Sequence, residues 1–175
     1  LTSQNHPVIA YGQDDLRLIV CGDATCSSHS PRVISNSNQP GISHSLALTS
    51  ADVPIISFHH LSPVGFLFLS VCPNPQCTGI AVMTIVDDSG SAGYHNSLAL
   101  TSQDVPVIAY IGVDESKLAL CNDLHCASPT FRTTGGNNPR WISLSLTPQD
   151  IPVFAYVEVS SNLVVVECSS ASCES

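Results

Sequence analysis

The sequence predicts an all-β, β-propeller-like fold: four tandem repeats of about four antiparallel strands each, with the sets at the two ends incomplete. Two observations predict it. First, one segment occurs four times. Leu1-Thr-Ser-Gln-Asn-His-Pro-Val-Ile-Ala-Tyr11 returns as Leu48-Thr-Ser-Ala-Asp-Val-Pro-Ile-Ile-Ser-Phe58, as Leu100-Thr-Ser-Gln-Asp-Val-Pro-Val-Ile-Ala-Tyr110 and as Leu146-Thr-Pro-Gln-Asp-Ile-Pro-Val-Phe-Ala-Tyr156. Each copy is followed by a cysteine pair at one fixed spacing: Cys21/Cys26, Cys72/Cys77, Cys121/Cys126 and Cys168/Cys173. The prolines at 7, 54, 106 and 152 lie 47, 52 and 46 residues apart, within the range of four-stranded propeller blades. Second, no segment sustains a helical period. Short runs of Val, Ile, Leu, Phe and Tyr are instead punctuated by Gly, Pro, Asn, Asp and Ser. The repeats fall at about 1–40, 41–92, 93–138 and 139–175, one repeat domain in all.

Each element follows from this pattern. The first strand is Ser45–Leu48, with Ser97–Leu100 and Ser143–Leu146 as counterparts. It carries leucines on one face and only Ser or Ala on the other, as an innermost strand needs where blades converge. The second strand, Pro54–Phe58 and its counterparts from Pro7, Pro106 and Pro152, is apolar on both faces. So is the third, at Leu16–Cys21, Gly65–Cys72, Lys117–Cys121 and Leu163–Cys168. A half-exposed sheet would alternate apolar and polar residues, so these strands belong to sheets covered on both sides. The fourth strand, at Arg32–Ser35, Ile80–Val86 and Thr130–Thr133, is more polar in repeats one and three, as an outer edge should be.

Composition narrows the function. Among 175 residues, 5 Lys and Arg against 14 Asp and Glu give a net charge of −9, and Lys117 is the sole lysine. That balance argues against nucleic acid or an anionic membrane surface as a partner. No apolar run approaches the roughly 20 residues of a spanning helix; Phe66 to Val71 is among the longest. No signal-peptide pattern occurs, so the sequence reads as a mature chain or a fragment.

Units of the form S-L-A-L, a short acidic turn, P-V-I-A-Y, a variable loop and L-x-L-x-x-C-x4-C resemble the roughly 50-residue propeller-type repeats of secreted and cell-surface proteins. The resemblance covers essentially the whole chain. That family carries no general catalytic motif, so the resemblance transfers no functional residue and implies no cofactor.

The even, local and repeated cysteines predict four disulfides, each pinning the loop after the third strand to its own strand end and adding on the order of 2 kcal/mol. Zinc would need thiolates converging in twos from neighbouring pairs, whereas each pair here sits on a different blade. No metal site is therefore expected. Disulfides in turn predict an oxidising compartment, extracellular or at the cell surface. Asp52, Asp104 and Asp150, with Asn5 in the same slot, read as turn residues bonding the backbone ahead of the proline-led strand. Asp87-Asp88-Ser-Gly-Ser-Ala-Gly lacks calcium-loop spacing and reads as an exposed connection.

Histidines and aromatics supply the candidate binding residues. His59-His60 is assigned to a loop between the second and third strands. Tyr94, His95, Arg140 and Trp141, with His44, lie near the start of the innermost strand. In a propeller these two sets share one face and could meet around the axis, where an aromatic beside Arg and His suits a sugar or peptide. No catalytic residue is assigned: no G-x-S-x-G elbow exists, and Asp14-Asp15 and Asp114-Glu115 read as solvated loop acids. No N-x-S/T sequon occurs, while 26 serines and 10 threonines leave O-glycosylation open.

The sequence opens at the tail of a first strand and closes just after the last cysteine pair. A closed ring would then lack one inner and one outer strand. This leaves a fragment of a longer array, a partner-completed assembly or a non-closed stack. The leading expectation is a non-enzymatic structural or adhesive repeat protein, the protomer of a surface filament joined through Leu1–Tyr11 and Leu163–Ser175. A lectin-like glycan or peptide binder is the alternative. An enzyme on a propeller scaffold, a hydrolase or lyase using His59 and a loop carboxylate, is the third reading.

Overall fold

The computed structural model describes residues 1–12, 15–35, 40–61 and 64–174, with the backbone alone for 40–42. Asp14 and Ser175, named above, lie outside the described residues. Among the described residues every regular element is a β-strand. Repeat one forms β1 (Val8–Tyr11), β2 (Leu16–Cys21) and β3 (His29–Ser35). Repeat two forms β4 (Pro40–Leu48), β5 (Pro54–His60), β6 (Phe66–Val71) and β7 (Val82–Asp87). Repeat three forms β8 (Tyr94–Leu100), β9 (Pro106–Ile111), β10 (Ser116–Leu120) and β11 (Thr130–Gly135). Repeat four forms β12 (Arg140–Leu146), β13 (Pro152–Val157) and β14 (Leu163–Glu167).

Each repeat is one antiparallel meander: β1-β2-β3, β4-β5-β6-β7, β8-β9-β10-β11 and β12-β13-β14. The outer two sheets are three-stranded, the first without an inner strand and the fourth without an outer one among the described residues. Proline opens β5, β9 and β13 and immediately precedes β1, a place where no ladder donor is required. Its carbonyl accepts the first cysteine's N–H in all four repeats, at 3.0 Å in Cys21–Pro7, Cys72–Pro54 and Cys168–Pro152 and 3.1 Å in Cys121–Pro106.

All four expected disulfides form: Cys21–Cys26, Cys72–Cys77, Cys121–Cys126 and Cys168–Cys173, with Cα atoms 4.7 to 5.0 Å apart. The spacing did not disclose the backbone of the second partner. Cys26, Cys77, Cys126 and Cys173 stand at φ 54°, 49°, 55° and 48°. Each closes a tight turn by donating its N–H three residues back, to the carbonyls of Asp23, Asn74, Asp123 and Ser170 at 2.9 to 3.1 Å. That left-handed turn brings the chain back to the end of the third strand. Each bridge pins its loop to its own strand end, as expected, and most also reach into the packing between repeats. Cys77 and Cys126 are buried in the cores between repeats, and Cys173 packs against another. Cys26, on the first repeat, is half-buried.

Sheets stack face to face in sequence order, giving three apolar cores. The first joins Leu16 and Leu18 to Ile56 and Phe58. The second joins Ile55, Leu67 and Leu69 to Ile108, Tyr110 and Ala119. The third joins Val107, Ala109 and Leu118 to Phe154 and Tyr156. Successive residues of a strand point to opposite faces, so each inner sheet has a forward face toward the next repeat and a rear face toward the last. None of the three cores brings the fourth sheet against the first. The result is an open, propeller-like stack.

The Ser or Ala face of the innermost strand now has a cause. Ser45 Oγ accepts the N–H of Leu98 and Ser97 Oγ that of Leu144, each at 3.0 Å. The inner strands of successive repeats thus pass within one small side chain of each other. The strand is longer than its sequence motif, because β4, β8 and β12 each extend toward the N-terminus through a register shift before the S-L-x-L core.

Candidate functional site

Two features stand out once the stack is built: the joints between repeats, and a group of aromatic and basic residues at the bulged starts of the inner strands.

The joints share a clasp. In each repeat the segment L-T-S/P-x-D/N folds as one tight turn, with the acid-slot N–H bonded to the Thr carbonyl and the Thr Oγ1 accepting the N–H four residues on. Asn5, Asp52, Asp104 and Asp150 all stand at φ 61°, a left-handed conformation that Asn and Asp tolerate better than most residues. Their role as turn residues holds, but the carboxylates do not bond the backbone ahead of the proline. They reach back to the preceding repeat. Ser3 donates its N–H and its hydroxyl to Asp52 at 2.8 and 2.6 Å. Ser50 does the same to Asp104 at 2.8 and 2.6 Å, and Ser102 to Asp150 at 2.8 and 2.7 Å. These donors hold the Asp52 carboxyl below the usual carboxylate range, the Ser3 hydroxyl first and its N–H second. The serine was missed in the sequence, although its fixed place two residues ahead of the acid signals it.

The joint between repeats two and three gathers several buried polar side chains. Asp87, read as part of an exposed connection, is instead 7% exposed and ends β7. It accepts the Tyr110 hydroxyl at 2.6 Å and lies 3.9 Å from Lys117 Nζ. Burial pushes its carboxyl up, but the Ser89 and Tyr110 donors and Lys117 outweigh that, so the net direction is down. Tyr110, in burial and against that carboxylate, is pushed far above an ordinary phenol. Beside them Asn96 Nδ2 donates to Gly93 O at 2.9 Å, while Ser57 donates to Asn96 Oδ1 at 2.6 Å. On the first joint, His44 Nε2 lies 3.2 Å from Ala10 O.

His59 is also corrected. It lies inside β5 rather than in a loop, because the apolar run continues through it into the forward face. It is 0% exposed, and neither ring nitrogen has a hydrogen-bond partner. Its ring lies 4.0 Å from that of Tyr94. Burial, and secondarily His60, lowers its pKa to about 4, so it is a neutral ring packed in a joint. No carboxylate is hydrogen-bonded to either ring nitrogen.

Tyr94, His95, Arg140 and Trp141 do come together. His95 and Trp141 occupy the bulged positions of β8 and β12, at φ 46° and 51°. Their rings lie 5.8 Å apart. Tyr94, His95 and Arg140 line a shallow hollow of about 250 Å³ with Asp114, Asn138 and Pro139. Burial, then the Arg140 charge, holds His95 below an ordinary histidine. Trp141 stands beside the hollow and is 64% exposed. His59 meets this group through its ring contact with Tyr94.

The cysteines take no part in this group. Cys26, Cys77, Cys126 and Cys173, like their partners Cys21, Cys72, Cys121 and Cys168, are all consumed in bridges and leave no thiol for metal or redox chemistry. Four such bridges place the chain in an oxidising environment. Among the described residues no group of three or more His, Cys, Asp or Glu gathers as a metal site, and no helix is long and apolar enough to cross a membrane. A scan against protein-family models finds no match for this chain, and a search of curated proteins finds none.

Proposed function

We propose that this chain is a non-enzymatic extracellular structural or adhesive repeat protein of the propeller-type kind, joining further copies of itself into a surface filament through its outermost sheets. One observation carries the reading. The forward face of repeat four repeats the pattern that the inner sheets bury, yet it is bare: Leu163 is 69% and Val165 63% exposed, and Val153, Ala155 and Val157 lie alongside. Among the described residues β14 is in addition an edge strand, at the place where β6 and β10 each pair with a fourth strand. Bare apolar faces and open strand edges are surfaces that association covers. Size-exclusion chromatography with light scattering, followed by negative-stain imaging, tests it. Concentration-dependent growth into filaments is expected. A monodisperse monomer up to high concentration overturns it.

A second reading has its own observation, the convergence of Tyr94, His95, Arg140 and Trp141. A bulky residue at positive φ is costly, and Trp141 accepts that conformation while presenting its ring to solvent. An aromatic plate beside a guanidinium suits a sugar ring or a peptide. Glycan-array binding abolished by Trp141→Ala is the expected result; binding that survives this change removes the site.

A further inference from the structure

We infer that the partner of repeat four's forward face is the rear face of repeat one of a second copy, docked in the register of the internal joints but without their clasp. The inference rests on the self-assembly reading above and adds to it which faces meet and why that joint is weakened. Three internal joints built alike establish the geometry: a forward face of one sheet on the rear face of the next, in the same direction each time. Repeat one's rear face offers Ile9, 46% exposed, with Tyr11 and Ile19 half-buried. These take the strand positions of Phe154, Tyr156 and Val166, which fill the third joint.

At this joint the clasp loses both of its donors and its carboxylate, keeping one amide acceptor. The serine slot holds Pro148, which has neither an N–H nor a hydroxyl to donate. The acid slot holds Asn5, which has no carboxylate. The turns themselves are intact, with Asn5 and Asp150 at the same φ and Pro148 exposed. The two departures from the repeat therefore touch the clasp and leave the fold alone. Both fall where a head-to-tail contact would set them against each other. Joints between copies thus keep apolar contact and lose the polar tie, so this contact is weaker than the same pair of faces with the clasp restored.

Two variants test this. Asn5→Cys/Pro148→Cys adds thiols that a short bis-maleimide can bridge, since the native cysteines are all paired. Under conditions where the wild type assembles, a ladder of covalent oligomers is expected, with none from either single change. A dimer from Pro148→Cys alone indicates back-to-back pairing of fourth repeats and overturns the inference. So does assembly without cross-linking. Asn5→Asp/Pro148→Ser restores residues already present in repeats two and three, so folding is retained. It should lower the concentration for assembly about tenfold, the effect of two hydrogen bonds to a carboxylate in water. An unchanged threshold overturns the weak-joint claim. Failure of every form, wild type included, to assemble overturns the underlying reading as well.

Discussion

His59 shows how one residue can tie stability to acidity. Its folded pKa of about 4 lies below the 6.5 of a free histidine, so between these values the unfolded chain holds a proton that the folded chain lacks. The stability this group contributes is complete above pH 6.5 and is lost as the pH falls toward 4, on the order of 3 kcal/mol over the interval. Urea melts at about pH 7.5 and about pH 4.5 should show that loss, and His59→Phe, which keeps a ring against Tyr94, should flatten it. Equal acid sensitivity in both proteins would assign the effect to other groups. Tyr110 acts through a single hydrogen bond instead. Tyr110→Phe removes the 2.6 Å donor of buried Asp87 and should cost about 2 kcal/mol in chemical denaturation.

At the scale of elements, the turn and the cysteine loop are small devices used four times. Asp104 fixes a left-handed turn and grips Ser50. Asp104→Ala should therefore cost about 1–2 kcal/mol in thermal melts, and Asp104→Asn about half as much, because Asn keeps the backbone conformation and one acceptor. If the two substitutions melted alike, the clasp would carry no weight beyond the turn. The loop disulfides close five-residue separations. Removing one by Cys121→Ser/Cys126→Ser should cost about 2 kcal/mol, the loop-closure value for so short a ring. A larger loss would mean that the bridge also holds its surroundings, through the Cys121 N–H to Pro106 O bond and through Cys126 in the core between repeats two and three.

The molecule as a whole is a one-dimensional stack in which each sheet is stabilised by its neighbours. Strands β5 and β9 are buried almost throughout, whereas β1, β3 and β14 are largely half-buried or exposed. Amide exchange should be slowest in β5, β6, β9 and β10 and fastest in β1, β3 and β14. On assembly, protection should rise in β14 and β1 with little change in the centre. Uniform exchange across all four sheets would indicate a single cooperative unit instead.

Much of this was legible in the linear chain. The period, the apolar runs, the proline at each strand start and the cysteine pairs are local features, and each repeat folds through contacts close in sequence, so four similar segments had to give four similar meanders. The placement of Tyr94, His95, Arg140 and Trp141 at the starts of inner strands was readable for the same reason. What stacking decided is of longer range. Sequence periodicity cannot say that Asp52 reaches 49 residues back to Ser3, that His59 continues a strand into a core, that Cys77 and Cys126 enter the joints or that Asp87 is covered by Tyr110, because each depends on which sheet face meets which. The sequence by itself determined the repeat and its bridges; only the tertiary stack decided which sheet faces are buried between repeats and which stay exposed, since burial belongs to pairs of surfaces and not to a strand alone.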